Sequence, residues 1–255
     1  PDLIFSVNYS PPTASLIGYL YSRVFSCPLY VWVQDLWPES LTATGTVKSK
    51  TIIVWVKRVM TFLYNRSHCI LVQSKSFASH IKENIKDSDK VLYFPNWAED
   101  VYEKNQTTKK NQFKHLVPKD KFIIMFAGNL GVAQSLETIV SAAHKVKEHP
   151  IHWVFVGDGR QSEWLRNSII KRKLNNISLL GRYPIEVMAD LFDLADVMLV
   201  TLKKDPALNL TIPGKIQSYL KNGKPILSAL DGEGAYVVKE SGAGFNTSSE
   251  NIDGL

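Results

Sequence analysis

Two groups of residues in this chain have the types and spacing to do chemistry. The first is Gln34-Asp35-Leu36-Trp37-Pro38-Glu39-Ser40, a loop holding two carboxylates directly after the apolar run Leu29–Val33. Asp35 and Glu39 can act as acid and base, or accept hydrogen bonds from ligand hydroxyls. They can equally be structural, with Asp35 capping a turn while Trp37 packs on the core. The second group bears cations and glycines. In Pro213-Gly214-Lys215, proline suits the first helical position, glycine admits close approach and lysine supplies charge for a phosphate. Gly157-Asp158-Gly159-Arg160 and Gly181-Arg182-Tyr183-Pro184 add arginines in short loops, although Gly-Asp-Gly is also a common turn.

The element that best shows how such loops are positioned is Phe122–Val146. The apolar run FIIMF stops at a loop carrying Gly128, Asn129, Gly131 and Gln134, and apolar residues resume at helical spacing in Leu136, Ile139, Val140 and Ala143. Strand, tight turn and helix present unpaired N–H groups to a phosphate, though ordinary βα connections look the same. The pattern repeats with strands at Ile151–Val156, Ile177–Leu180, Val197–Val200 and Ile226–Ser228, and helices at Glu163–Arg172, Ile185–Leu194, Pro213–Lys221 and Gly232–Glu240. In the first half, strands are predicted at Leu3–Val7, Leu29–Val33, Cys69–Gln73 and Val91–Phe94. Helices are predicted at Ala14–Phe25, Thr51–Arg66 and Phe77–Asn84, the last capped by Ser74. Helix Thr51–Arg66 reads either as core-facing or as lying on a membrane surface with its aromatics down.

Strands alternating with helices imply an α/β fold of parallel sheets covered on both faces. Parallel strands share a direction, so the glycine and polar loops converge on one rim. The polar stretch Glu99–Pro118 separates two Rossmann-like domains, 1–112 and 113–255. The chain begins without methionine in a strand-like run and ends at Asn251–Leu255 in what reads as a helix start, so both domains read as incomplete.

Composition narrows the chemistry. The net charge of +6 suits phosphates or an anionic membrane face, or simply a basic solvated surface. Cys27 and Cys69 lack CxxC spacing and read as buried thiols in a reducing compartment. The six histidines form no HxH or HxxxH pair, so no metal is expected. GxxxxGK[ST] and GxGxxG are both absent, which sets aside phosphate-loop NTPases and hydride-transfer enzymes. No signal peptide and no apolar run of about 18 residues is present.

In order and spacing, VQDLWPES (33–40), ILVQS (70–74), FPNW (94–97), FAGNLGVAQ (126–134), VGDGR (156–160), LGRYP (180–184), LADVMLV (194–200), IPGK (212–215) and NGKPIL (222–227) resemble retaining family 4 glycosyltransferases of the GT-B fold. The DLWPES segment is similar to the subgroup of O-antigen fucosaminyl (N-acetyl-L-fucosamine) transferases. The resemblance implies a nucleotide-sugar, expected to be UDP-linked, on the second domain. It implies a lipid-linked saccharide acceptor on the first, no metal or other cofactor, and no nucleic acid partner. It places the protein in the cytoplasm, in peripheral contact with the anionic inner face of the bacterial inner membrane. Donor contacts then fall to Gly128, Asn129, Gly131, Gln134, Gly157, Asp158, Gly159, Arg160, Arg182, Tyr183, Pro213, Gly214, Lys215 and Ser218, with Asp35 and Glu39 as the catalytic acids.

The chain departs from the family in three places. Asn129, Gln134 and Ser135 stand where an Arg and a Lys-Gly pair usually clamp the diphosphate. Leu210 and Ser218 stand near the family's two glutamates, and Gln34 replaces its histidine. Cationic help must then come from Lys215, Arg160 or Arg182. A nucleotide-sugar epimerase and a two-domain sugar-binding protein are the alternatives.

Overall fold

The structure, a computed structural model, describes residues 1–43, 47, 49–103 and 112–255. It divides into two compact units, one of Pro1–Asn96 with Asp205–Ile212, the other of Trp97–Lys204 with Pro213–Leu255.

The first unit comprises β1 (Ile4–Asn8), α1 (Thr13–Val24), β2 (Leu29–Val33), α2 (Glu39–Ala43), α3 (Lys50–Arg66), β3 (Cys69–Val72), α4 (Lys75–Lys82) and β4 (Val91–Tyr93). Its strands are parallel in the order β1-β2-β3-β4. Successive crossovers all run the same way, and right-handed connections then place their helices on one face. Leu29, Val31, Val33, Ile70 and Val72 accordingly pack with Met60, Leu63, Phe77 and Ile81 from the helices. The alternate strand positions point away from them, and there Phe5 and Leu92 are about half exposed. Among the described residues the helices of this unit gather on one face rather than the expected two, because the order of these four strands does not reverse. Ser74 caps α4 as its position suggested, its hydroxyl accepting from Phe77 N at 3.0 Å.

The second unit comprises β5 (Phe122–Ala127), α5 (Leu136–Lys145), β6 (Ile151–Val156), α6 (Ser162–Lys171), β7 (Ile177–Gly181), α7 (Met188–Phe192), β8 (Val197–Thr201), α8 (Gly214–Asn222), β9 (Ile226–Ala229), α9 (Gly232–Glu240) and β10 (Gly244–Thr247). The order is β10-β9-β8-β5-β6-β7, all parallel. Connections leave the central β5 and β8 in opposite directions, so this sheet takes helices on both faces. Ile124, Phe126, Trp153 and Phe155 pack under α5 and α6 through Leu136, Ile139, Val140 and Leu165. On the other face Phe192 of α7 meets Tyr219 of α8 edge-on at 5.3 Å.

Four sequence expectations are corrected. The helix expected over Ile185–Leu194 is a 3-10 turn at Ile185–Val187 followed by the shorter α7. The last residues form a turn rather than a helix start. Glu39 does not lie in a loop but opens α2. Residues 97–103 belong with the second unit rather than the first, because Tyr102 stacks on Phe192 at 5.9 Å and Lys221 bridges Asp100 and Glu103 at 3.2 and 3.1 Å. The boundary expected at 112 adjoins residues 104–111, the middle of the polar linker, which lie outside the described residues. Among the described residues no helix is long and apolar enough to cross a membrane.

Candidate functional site

In an open α/β sheet the natural ligand crevice lies past the carboxyl ends of the strands, where the strand order reverses. In the second unit that point falls between β5 and β8. The β5 loop is tied to the end of β8 there: Thr201 Oγ1 donates to Gln134 O, and Lys203 N donates to Ala133 O at 2.9 Å. Helix α8 closes the crevice from below through Tyr219, whose hydroxyl donates to Ala127 O at 3.0 Å and accepts from Ala127 N at 3.1 Å.

Lys215 enters this crevice from the first turn of α8. Its Nζ donates to Gln134 Oε1 at 2.7 Å and sits 3.6 Å from the centroid of the Phe126 ring. Lys215 retains some solvent exposure, yet its amine is packed against these groups, and among the described residues no carboxylate forms an ion pair with it. Burial pushes its pKa down to about 7. A cation so placed lacks a counter-charge, and the N-terminus of α8 adds positive potential next to it.

Two cavities open on this rim. One, of about 410 Å³, is lined by Gly128, Gly214, Lys215, Ser218 and Tyr219 together with Trp97, Glu99, Tyr102, Met188 and Phe192. The other, of about 520 Å³, is lined by Gly128, Asn129, Gly157, Asp158, Gly159, Arg182, Tyr183 and Met188. They share Gly128 and Met188. Gly128 has φ +134°, and a Cβ there would lie 3.5 Å from Lys215 Nζ. Gly157 has the same φ, and its Cβ would fall 1.9 Å from Gly128 O, so that glycine serves loop-against-loop packing.

The structure thus brings most of the expected donor residues to one rim, with distinct local duties. Asp158 closes the turn before α6: its Oδ1 accepts from the Ser162 hydroxyl and from Gly159 N at 2.8 Å, and these bonds hold its carboxyl below the usual range. The turn reading of Gly-Asp-Gly is therefore satisfied. Arg160 is exposed and lines neither cavity. Pro213 is the cap preceding α8, and Gly214 is its first helical residue. Gly131 precedes a 3-10 turn over Val132–Gln134, and Ser135 then takes a left-handed conformation at the entrance to α5.

The carboxyl edge of the first sheet is polar as well. Gln34 and Asn96 exchange amide bonds at 2.9 Å each, Asn96 also donates to Gln73 Oε1 at 3.3 Å, and Gln73 donates to Gln34 O at 2.7 Å. Asp35 follows Gln34 half-buried, its backbone N donating to Asn8 O at 3.3 Å. Trp37 packs against the core and donates to Ser10 Oγ at 2.8 Å. Glu39 Oε1 lies 3.0 Å from His80 Nε2 on α4. Burial alone would raise the Glu39 carboxyl, but the bond to His80, a backbone bond and the charges of His80 and Lys57 outweigh it and bring it below its ordinary value. The same bond, working against burial, raises His80. Glu39 Oε2 is buried without a partner among the described residues.

The sequence reading missed His80, the amide triad and the cage around Lys215. Gln73 does end one predicted strand and Asn96 stands just past another, positions that could have marked them. His80 and Gln134 reach their partners only through strand order and helix placement.

The family described as glycosyl transferases group 1 matches residues 121–255, and the chain belongs to it. Over 218 residues it is 26% identical to a Pseudomonas aeruginosa protein named as a probable glycosyltransferase, WbjE, covering 84% of this chain and 54% of that protein. Over 155 residues it is 27% identical to Escherichia coli K12 WcaI, named for a colanic acid biosynthesis glycosyl transferase, covering 59% and 37%. The chain thus spans about half, or less, of the length of these relatives. Among solved structures, Anabaena HepE in complex with UDP and glucose matches with a TM-score of 0.79 at 19% identity, over 100% of this chain and 66% of that one. Sucrose-phosphate synthase from Thermosynechococcus elongatus matches at 0.78 and 14%, over 100% and 62%. At such identities these structures carry the fold: an α/β architecture of two parallel-sheet units, the GT-B type expected from sequence.

Proposed function

We propose that the chain is part of a retaining glycosyltransferase that moves a sugar from a UDP-linked donor to a lipid-linked saccharide in surface polysaccharide synthesis. N-acetyl-L-fucosamine is the donor sugar that the sequence resemblance favours, and the inner face of the cytoplasmic membrane is the place of action. The observation that carries the reading is Lys215, a cation at the switch-point crevice with an amide and an aromatic ring for neighbours and, among the described residues, no ion-paired carboxylate. A diphosphate supplies the missing counter-charge. As the sugar leaves, charge grows on that diphosphate, and a preorganised lysine beside a helix N-terminus stabilises it without a metal. Arg182 at the mouth of the neighbouring cavity is the second cation within the same rim. In the first unit Asp35 and Glu39 are the acids offered to the acceptor, Glu39 oriented by His80 and, among the described residues, with one oxygen unpaired.

Support also comes from a relative named for colanic acid biosynthesis and from a structural neighbour determined with UDP and glucose. The test is a thermal-shift and calorimetric comparison of UDP with free glucose on the unmodified chain. UDP is expected to bind and to raise the melting temperature of the second unit, and glucose alone to do neither. Binding of the free sugar without UDP would instead favour a sugar receptor.

A further inference from the structure

Lys215 is a long side chain held in one place. Its Nζ donates to Gln134 Oε1 at 2.7 Å and rests 3.6 Å from the centroid of the buried Phe126 ring. An ammonium carries three donors and no acceptor, so the Gln134 amide turns its oxygen toward it. The amide and the ring cover two sides of the amine, while Lys215 still lines the cavity of about 410 Å³ with Gly128, Gly214 and Ser218.

Gln134 is fixed through its backbone. Its N donates to Gly131 O at 3.1 Å, its O accepts from the buried Thr201 hydroxyl, and Lys203 N donates to the preceding Ala133 O at 2.9 Å. The 3-10 turn Val132–Gln134 is thereby tied to the end of β8, and Ser135 closes it with its hydroxyl 2.9 Å from that of Thr138. Among the described residues, the only hydrogen bond made by the Gln134 side chain is the one to Lys215. The loop therefore keeps its shape without that side chain, whose work lies at the lysine.

An amide suits this work better than its alternatives. A glutamate would pair with Lys215 and cancel its charge, and a second cation would repel it. An apolar residue would leave a buried ammonium without an acceptor. A neutral oxygen orients the cation and leaves its charge available. Ordering the lysine before a ligand arrives also removes part of the entropy cost of binding. We infer that Gln134 is a positioning residue, which holds the Lys215 ammonium against the Phe126 ring and acts on the diphosphate through it. The inference rests on the reading of this crevice as a diphosphate site and adds to it a requirement. Affinity is greatest with a neutral acceptor at 134, and falls when the acceptor is either removed or charged.

The test compares the parent with Gln134→Met, which keeps the length of the side chain and loses the oxygen, and with Gln134→Glu. One readout is the titration of Lys215 without ligand, followed by NMR of 13C-labelled lysine ε-carbons and assigned with Lys215→Ala. The other is UDP binding by calorimetry at pH 6.5 and 8.5. Lys215 should titrate lower than in the parent with methionine at 134, and higher, toward its ordinary value, with glutamate. UDP should bind about 3- to 10-fold more weakly to Gln134→Met at pH 6.5, and about tenfold or more weakly to Gln134→Glu. The glutamate variant should also show the smallest change between the two pH values, because its lysine stays protonated across them. The other ionisable groups lining the cavity, Glu99, Tyr102 and Tyr219, are common to all three proteins, as is the ionisation of UDP. A side chain that merely supported the loop would alter stability and leave the Lys215 titration where it was. An unmoved titration in both variants, or UDP affinities equal to the parent's, would overturn the inference. A parent that does not bind UDP would instead remove the diphosphate reading, and the lysine titration would still decide whether Gln134 holds the amine.

Discussion

The two sheets of this protein are built from the same βα units and differ in one respect, the direction in which strands are added. In the first, β1 to β4 follow in order and the helices crowd one face. In the second, the order reverses between β5 and β8 and helices cover both faces. The reversal parts the loops after β5 and β8, and there α8 inserts Lys215. The first sheet has no such parting, and its carboxyl edge is closed by amides bonded to one another. Similar local sequence thus makes an edge bridged by mutually bonded amides in one unit and a cationic crevice in the other.

This contrast can be broken one unit at a time. The largest effect is expected from Gly157→Ala, which places a Cβ 1.9 Å from Gly128 O at a φ that alanine resists. A loss of about 3–5 kcal/mol in the second unit should follow, read as an early unfolding transition in calorimetry with that of the first unit unmoved. Gln34→Leu is the counterpart. It removes both bonds between Asn96 and Gln34, leaving Asn96 only the longer bond to Gln73, and should cost the first unit about 1–3 kcal/mol while leaving UDP binding alone.

A smaller effect of opposite sign is expected at Lys215. Its pKa of about 7 lies below the ordinary 10.5, so between those values the unfolded chain holds a proton that the fold sheds. The fold therefore loses stability as pH falls through that window and carries the whole penalty below 7. Lys215→Met should raise the melting temperature by about 2–4 °C at pH 6, an increase that shrinks toward pH 10. Such a residue stabilises the protein by its removal, as expected of a functional cation.

The smallest effect belongs to the partly exposed Glu39–His80 pair. Glu39 is lowered from 4.5, so its contribution is lost as pH falls through the folded value; His80 is raised from 6.5, so its contribution is lost as pH rises through its own. The pair helps most between about 4.5 and 6.5. His80→Gln should remove about 0.5 kcal/mol there and little above pH 8, measured as a flattened pH profile of melting in the first unit.

The alternation of strands and helices was legible because each element carries its own pattern. Leu29–Val33, Ile151–Val156 and Gly232–Glu240 match to the residue. The convergence of the Gly128, Gly157, Arg182 and Lys215 loops was legible too, because parallel strands must end on one edge. What could not be read depends on the order of strands, which no local pattern encodes. The one-sided packing of the first sheet is an instance, and so are the switch point beside Gln134 and the approach of His80 to Glu39. The assignment of residues 97–103 failed for a related reason: their polar sequence resembles a linker, whereas Tyr102 is held by Phe192 and Asp100 by Lys221 from distant elements.

Calorimetric titration with UDP, on the parent chain and on Lys215→Ala at pH 6.5 and 8.5, is the most direct test that the crevice holds a diphosphate. The parent should bind more tightly at pH 6.5, where Lys215 is protonated, and lose affinity at 8.5. The alanine variant should bind about 10- to 100-fold more weakly at pH 6.5 and lose most of that pH dependence. Equal affinity for both proteins, with the same response to pH, would contradict a diphosphate at Lys215.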